Sequence, residues 1–343
     1  MFNHFILSLT IISYLLGIPL PDALQQDVYI VPTIIERIEE GAAEQAKLAE
    51  QAEQAEQAEA NNAAKKEEFQ WRLEKKVPDQ EKPPVPKDYT RGPVINAGAA
   101  IVLDQGSKNI LWQKNPDDVA SIASITKLMT ALVWLSNKPE DGFEHVHTFA
   151  PEEDVTLGKE LQLPYGSQVT AQDLLRTMLV ASYNDAALAL AHTTGLTDEE
   201  FVKKMNRKAK AIGMQNTTFR DQTGLYTTNR ATVHDVALLA LEAFSKPTIA
   251  EASAMPEYAY STLGGLQVVA TATNALLFDD TVDVVVGKTG YLIEAGYCLV
   301  VKAKVPGTDR YVIAVVLNTE SDSSRFAEMK KLLTWTFDHY AWN

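Results

Sequence analysis

Ala123-Ser124-Ile125-Thr126-Lys127-Leu128-Met129-Thr130-Ala131 sets a hydroxyl and an amine three positions apart at the head of an apolar run that continues through Leu132, Val133 and Leu135. This pattern predicts a buried helix. Residues three apart on a helix share a face, so the Lys127 amine can reach the Ser124 hydroxyl. A serine placed this way can take lysine as its base and needs no histidine. The first turn of such a helix also presents free backbone N–H groups and the positive end of the helix dipole, which favour a developing oxyanion. Taken alone, Ser124 reads more simply as a helix cap and Lys127 as a solvated surface lysine.

Two further polar signatures follow. Ser182-Tyr183-Asn184 lies between the apolar segments 174–181 and 186–191, and Thr170 with Asp173 offers a capping box where the first segment starts. The triplet is therefore expected on a tight helix-to-helix connection. Lys288-Thr289-Gly290 follows the β-branched run 281–286, which puts it at the end of, or along, a strand edge where an extended substrate can align. Each signature is weak by itself. Ser107-Lys108-Asn109 is a Ser-x-Asn triplet in an apparent turn, and a lysine at a strand edge can merely discourage aggregation.

Residues 98–104 and 110–112 read as a hairpin ahead of the nucleophile helix. Later strands are expected at 282–288, 297–304 and 311–318, before a terminal helix at 324–339. Strands at both ends with helices between them imply one antiparallel sheet, closed by distant segments and flanked by helices, with a helical insert: an α/β (α+β) class. Thr232 and Asp235 supply another capping box, before 236–244.

The three signatures, together with Asn184-Asp185-Ala186-Ala187, Gly287-Lys288-Thr289-Gly290-Tyr291 and Glu294-Ala295-Gly296-Tyr297, resemble the low-molecular-mass penicillin-binding proteins over residues 93–343. These are the serine D-alanyl-D-alanine carboxypeptidases of peptidase family S11. The resemblance implies a β-lactamase/transpeptidase-like fold and removal of the terminal D-Ala from peptidoglycan stem peptides through a Ser124 acyl-enzyme, with β-lactams as inhibitors. It makes Ser124 the nucleophile and Lys127 its base. Ser182 becomes a proton relay toward the leaving amine, and Asn184 a holder of the substrate amide or of Lys127. Lys288, Thr289 and Gly290 then bind the terminal carboxylate end, Arg325 assists them, and the Ser124 and Tyr291 backbone N–H groups form the oxyanion hole. One such donor is typically worth ~2.7 to 4 kcal/mol of barrier. Tyr183 departs from the small or acidic residue usual in the second signature, and Leu292-Ile293 is more apolar than its common counterpart.

Composition sets the outer bounds. The chain of 343 residues carries a net charge of −14, and no basic patch suggests nucleic-acid binding. A single cysteine, Cys298, excludes an internal disulfide. His145-Val146-His147 lacks an evident third ligand, so no metal site is expected, and the serine acyl-enzyme chemistry that the resemblance implies requires no metal or organic cofactor. Residues 1–20 hold an uncharged apolar run and read as a signal peptide or amino-terminal membrane anchor, which implies an extracytoplasmic location, in the periplasm or on the outer face of the bacterial cytoplasmic membrane. Residues 21–77 read as an Ala/Glu/Gln-rich helical stalk, 78–93 as a Pro-rich linker and 94–343 as the catalytic domain. Three rivals remain. Cleavage of D-Ala to diaminopimelate cross-links is one, and a non-catalytic wall-binding protein is another. The third, a β-lactamase, is disfavoured because no Glu-x-x-Leu-Asn segment lies between the second and third signatures.

Overall fold

The computed structural model describes residues 82–88, 91–150, 154 and 156–342. The expected leader or anchor (1–20), the stalk (21–77) and the start of the Pro-rich linker lie outside the described residues.

The predicted hairpin forms from β1 (Ala99–Asp104) and β2 (Ile110–Lys114). Its turn is gathered by Asp104, whose Oδ2 accepts from Ser107 N at 2.7 Å and Ser107 Oγ at 2.6 Å. The insert carries α1 (Thr126–Asn137), α2 (Ala171–Val180), α3 (Asn184–His192), α4 (Asp198–Ala211), α5 (Val233–Phe244) and α6 (Pro247–Ala254). β3 (Val284–Leu292), β4 (Gly296–Lys304), β5 (Tyr311–Thr319) and α7 (Asp322–His339) follow. The main sheet has five strands in the order β3-β4-β5-β1-β2, every pair antiparallel. The N-terminal hairpin thus docks on the last strand, with Ile101 opposite Val315.

Runs such as Ala99-Ala100-Ile101-Val102-Leu103 do not alternate apolar with polar, because both faces of the sheet are covered. Ala99, Ile101, Leu103, Ile313, Val315 and Leu317 face the cluster shared with the insert helices. Ala100, Val102, Val312, Ala314 and Val316 face a second cluster that holds Met329, Leu332 and Leu333 of α7. Adjacent residues on a strand point to opposite faces, so each run feeds two cores at once.

Local chemistry sets the insert. Thr170 and Asp173 form the predicted reciprocal capping box at α2. At α5, Thr232 Oγ1 accepts from Asp235 N at 3.1 Å, but the Asp235 carboxylate turns instead to Asn216 N at 2.7 Å and Thr217 Oγ1 at 2.8 Å. Only half of that expected box forms, because the carboxylate ties down the 216–217 loop. The strand expected at 282–288 starts at Val284 and runs on to Leu292, since pairing with β4 continues from Lys288–Val300 to Leu292–Gly296. Lys288-Thr289-Gly290 therefore lies within the edge strand. Val85–Pro86, in the stretch read as linker, pairs with Tyr340–Ala341. No helix among the described residues is long and apolar enough to cross a membrane.

Candidate active site

Ser124 sits in a single 3₁₀ turn, Ala123–Ile125, ahead of α1. The turn is fixed from several sides. Ile122 N donates to Asn229 O at 3.1 Å, and Ala120–Ser121 pairs with Arg230–Ala231. Ala123 holds φ +45°, a left-handed conformation that costs a non-glycine residue on the order of 1–3 kcal/mol and persists only where the surroundings impose it. Two glycines allow the neighbours to close in. A Cβ on Gly224 would lie 2.0 Å from Ala123 O, and one on Gly290 would lie 2.8 Å from Ile122 O. The edge strand and the 221–226 loop thus press directly on the turn that carries Ser124.

Lys127, one turn on, is fully buried, and its Nζ has three neighbours: Ser124 Oγ at 2.8 Å, Asn184 Oδ1 at 2.7 Å and Thr223 O at 2.6 Å. A neutral amine fits this set, donating to the two carbonyl-type oxygens and turning its lone pair to the hydroxyl. Burial is the main force that lowers the Lys127 pKa to about 7; the Lys159 charge adds to it, and Asp221 and Asp185 oppose it.

The second signature occupies the expected tight connection, with Asn184 as the first residue of α3. Ser182, at φ +65°, turns its hydroxyl to Lys288, whose Nζ donates to Ser182 Oγ at 2.7 Å and Thr289 O at 3.0 Å. Lys288 is 1% exposed, and burial together with the charges of Lys127, Lys159 and Arg325 holds its pKa well below the ordinary lysine value. The charged form of Lys288 is therefore disfavoured until an anion arrives. Thr289 Oγ1 shares a 2.6 Å hydrogen bond with Thr273 Oγ1.

Gly290 contributes its carbonyl, which accepts from Arg325 Nη1 at 3.2 Å. The other arm of Arg325 pairs with Asp322, and its Nε is buried with no hydrogen-bond partner among the described residues. Arg325 thus underpins the third signature from behind while keeping one donor unused. Tyr291 is 47% exposed and stacks on Tyr297, so its side chain forms part of the rim.

All nine sequence-predicted site residues converge on this region through direct bonds or as neighbours on β3. Sequence reasoning missed Thr223, Asp221 and Thr273. Asp221 organises its loop by accepting from Thr223 N, Gly224 N and Leu225 N, which presents the Thr223 carbonyl to Lys127. The Asp-x-x-Gly at 221–224 was the available signal, a turn with an acidic first residue. His145 and His147 take separate partners, Asp141 and Asp154, and Asp154 also holds His192.

The comparisons agree with this geometry. The sequence model for D-alanyl-D-alanine carboxypeptidase matches residues 87–321. A D-alanyl-D-alanine endopeptidase of Pseudomonas aeruginosa is 35% identical over 70% of this chain and 77% of its own length. A D-alanyl-D-alanine carboxypeptidase of Bacillus subtilis is 32% identical over 71% of this chain and 63% of its own. Among solved structures, the Streptomyces K15 DD-transpeptidase covers 73% of this chain and 100% of its own, at a TM-score of 0.65 and 26% identity. Penicillin-binding protein D2 of Listeria monocytogenes in its ampicillin-bound form covers 72% and 100%, at a TM-score of 0.61 and 30% identity. A serine and lysine in contact at a helix head, on a sheet shared with DD-transpeptidases, thus sit in a chain whose family model spans most of the described domain: this protein belongs to the D-alanyl-D-alanine carboxypeptidase family, peptidase family S11, and is a serine peptidase.

Proposed function

We propose that Ser124 attacks the carbonyl of the penultimate D-Ala of a peptidoglycan stem peptide. Lys127, neutral, takes the Ser124 proton as the Oγ–C bond forms. The amide C–N bond then breaks, and a proton returned through Ser182 leaves with the departing amine. Water hydrolyses the ester that remains on Ser124. Lys288 and Thr289 take the terminal carboxylate, whose charge favours the ammonium form of Lys288, the proton coming from solvent as the anion binds, with Arg325 as a supporting donor. Asn184 holds the donor amide, and the Ser124 and Tyr291 N–H groups receive the oxyanion. The observation that carries this reading is the 2.8 Å contact of a fully buried lysine with a serine hydroxyl, opposite a second buried lysine on an edge strand. The same site is proposed to accept β-lactams as acylating inhibitors and to work on the extracytoplasmic side, where stem peptides are found, with residues 1–20 as the route of export or attachment.

A second reading concerns the leaving group only. Relatives in three organisms, 32–35% identical to this chain, are named D-alanyl-D-alanine endopeptidases, which favours cleavage of cross-linked peptides alongside monomeric ones. The test has two parts. A labelled penicillin should acylate the peptide containing Ser124 and fail with Ser124→Ala. Product analysis on monomeric and cross-linked muropeptides then assigns the leaving group. A folded protein that neither labels nor releases D-Ala overturns the proposal.

A further inference from the structure

Lys159 is absent from the three signatures, yet its charge acts on both active-site lysines. Its backbone is fastened to the head of α3. Asn184 N donates to Lys159 O and Asn184 Nδ2 to Leu157 O, both at 2.7 Å, while Leu161 N donates to Asp185 Oδ2 at 2.7 Å. The segment is therefore rigidly registered to Asn184. The Lys159 side chain is exposed by surface area, although the neighbours around its amine desolvate it enough to lower its pKa from the ordinary lysine value, and the amine stands 5.2 Å from the centre of the Tyr183 ring. Such a cation–π contact orients the amine without neutralising it. Among the described residues no carboxylate lies within ion-pair distance of it, whereas Arg325 is paired with Asp322 and Lys127 and Lys288 are buried. On a chain of net charge −14, this is a solvent-facing cation held in place at the mouth of a catalytic site.

We propose that Lys159 is a specificity-determining residue that receives a carboxylate carried on the acyl-donor side of the substrate, on the residue preceding the D-Ala–D-Ala unit. The side follows from connectivity. Lys288 and Thr289 serve the terminal carboxylate, whereas Lys159 is hydrogen-bonded directly to Asn184, the residue assigned to the donor amide. Tyr183, larger than the residue common at the middle of the second signature, supplies the platform. This inference rests on the donor-peptide reading above.

The test uses binding, so that it does not depend on turnover. N-acetyl-Glu-D-Ala-D-Ala and N-acetyl-Gln-D-Ala-D-Ala are titrated into the full chain carrying Ser124→Ala. The glutamate peptide should bind roughly three- to tenfold tighter at low salt, as a partly exposed ion pair allows, and the ratio should shrink as salt rises. Adding Lys159→Gln should bring the ratio to about one, Lys159→Arg should retain it, and Lys159→Glu should invert it. A merely structural role would weaken both peptides equally. Equal binding of the two peptides, no binding of the glutamate peptide, or a ratio that survives Lys159→Gln overturns the inference. Absence of D-Ala release by the wild-type chain would instead count against the hydrolytic reading and leave the binding ratio decisive for Lys159.

Discussion

An amine that donates to Thr223 O and Asn184 Oδ1 can accept the Ser124 proton only while it is uncharged, and burial brings Lys127 to about 7. Below that pH the amine is protonated and its lone pair is gone; above it the base form dominates. The acylation rate by a penicillin, followed by stopped flow, should therefore rise between pH 5.5 and 8 with an inflection near 7, and Lys127→Arg, whose guanidinium stays charged, should lose on the order of 10²–10⁴ in rate at pH 8, lose less at pH 5.5, and show no inflection near 7. An unchanged pH profile in the variant would exclude Lys127 as the base. At this scale the sequence was legible wherever chemistry sits in a short spacing: Ser124 with Lys127, Ser182 with Asn184, Lys288 with Thr289. Backbone acceptors are not legible in that way. Thr223 serves through its carbonyl, 96 residues from Lys127, and nothing about a threonine side chain announces it.

Elements hold these residues through close approach, and the turn around Ser124 depends on it most. Gly224, at φ +82°, leaves no room for a side chain, since an added Cβ would meet the Ala123 carbonyl. Gly224→Ala should cost ~2 kcal/mol or more, lower the Tm by at least about 4 °C, and slow penicillin acylation because the turn that carries Ser124 must shift; calorimetry with a labelling time course checks both. A second element-scale device anchors the chain just ahead, in sequence, of the segment that contacts Asn184. Asp154, 3% exposed, bridges His147 at 2.8 Å and His192 at 3.2 Å, and His192 also faces Asp198 at 3.3 Å. Burial alone would raise the Asp154 carboxyl, but the histidine bonds and the Ala150 N–H outweigh it and hold it below the ordinary carboxylate value of 3.8. The Asp154 bond raises His192 above its ordinary 6.5. A depressed acid adds stability above its unfolded value and a raised base adds it below its own, so the clamp is strongest between 3.8 and 6.5 and fades as pH climbs through the His192 value. Amide-exchange protection at 158–161, corrected for intrinsic rates, should be higher at pH 5 than at pH 8, and Asp154→Asn should remove most of that difference. Helices and strands were readable from periodicity and caps, as at Thr170 and Asp173. The His147–Asp154–His192 clamp was not, because it joins three separate segments.

At the scale of the whole molecule, the sheet is closed by chain ends that are far apart in sequence, and this governs where the domain begins. β1 and β2 come first, β5 comes near the end, and they pair only after the insert has been made, so the fold class followed from strands at both termini while the docking of the preceding segment did not. Among the described residues, that segment belongs to the same compact unit as the sheet and its helices. Val85–Pro86 pairs with Tyr340–Ala341, Lys87 N donates to His339 O at 2.8 Å and Lys87 Nζ to Asp338 O at 3.0 Å, and Gly92 lies against Trp112. Prolines are tolerated here because this two-residue ladder makes few demands on backbone donors. The Val85–Lys87 contacts gather at the end of α7, and Trp112 and Tyr340 pack against the Met329, Leu332 and Leu333 cluster, apart from the cluster that includes the α1 residues. Two fragments, 79–343 and 94–343, separate the roles. Both should fold and acylate with penicillin at the same rate, since every bond to Ser124, Lys127 and Lys288 lies within the shorter one. The shorter should melt lower by roughly 3–8 °C, the loss expected for about two net hydrogen bonds at ~0.5–1.5 kcal/mol each plus the uncovered Trp112. Equal melting temperatures would mean that the 82–92 segment adds nothing to the domain, and a slower acylation in the shorter fragment would mean that it reaches the site through the sheet.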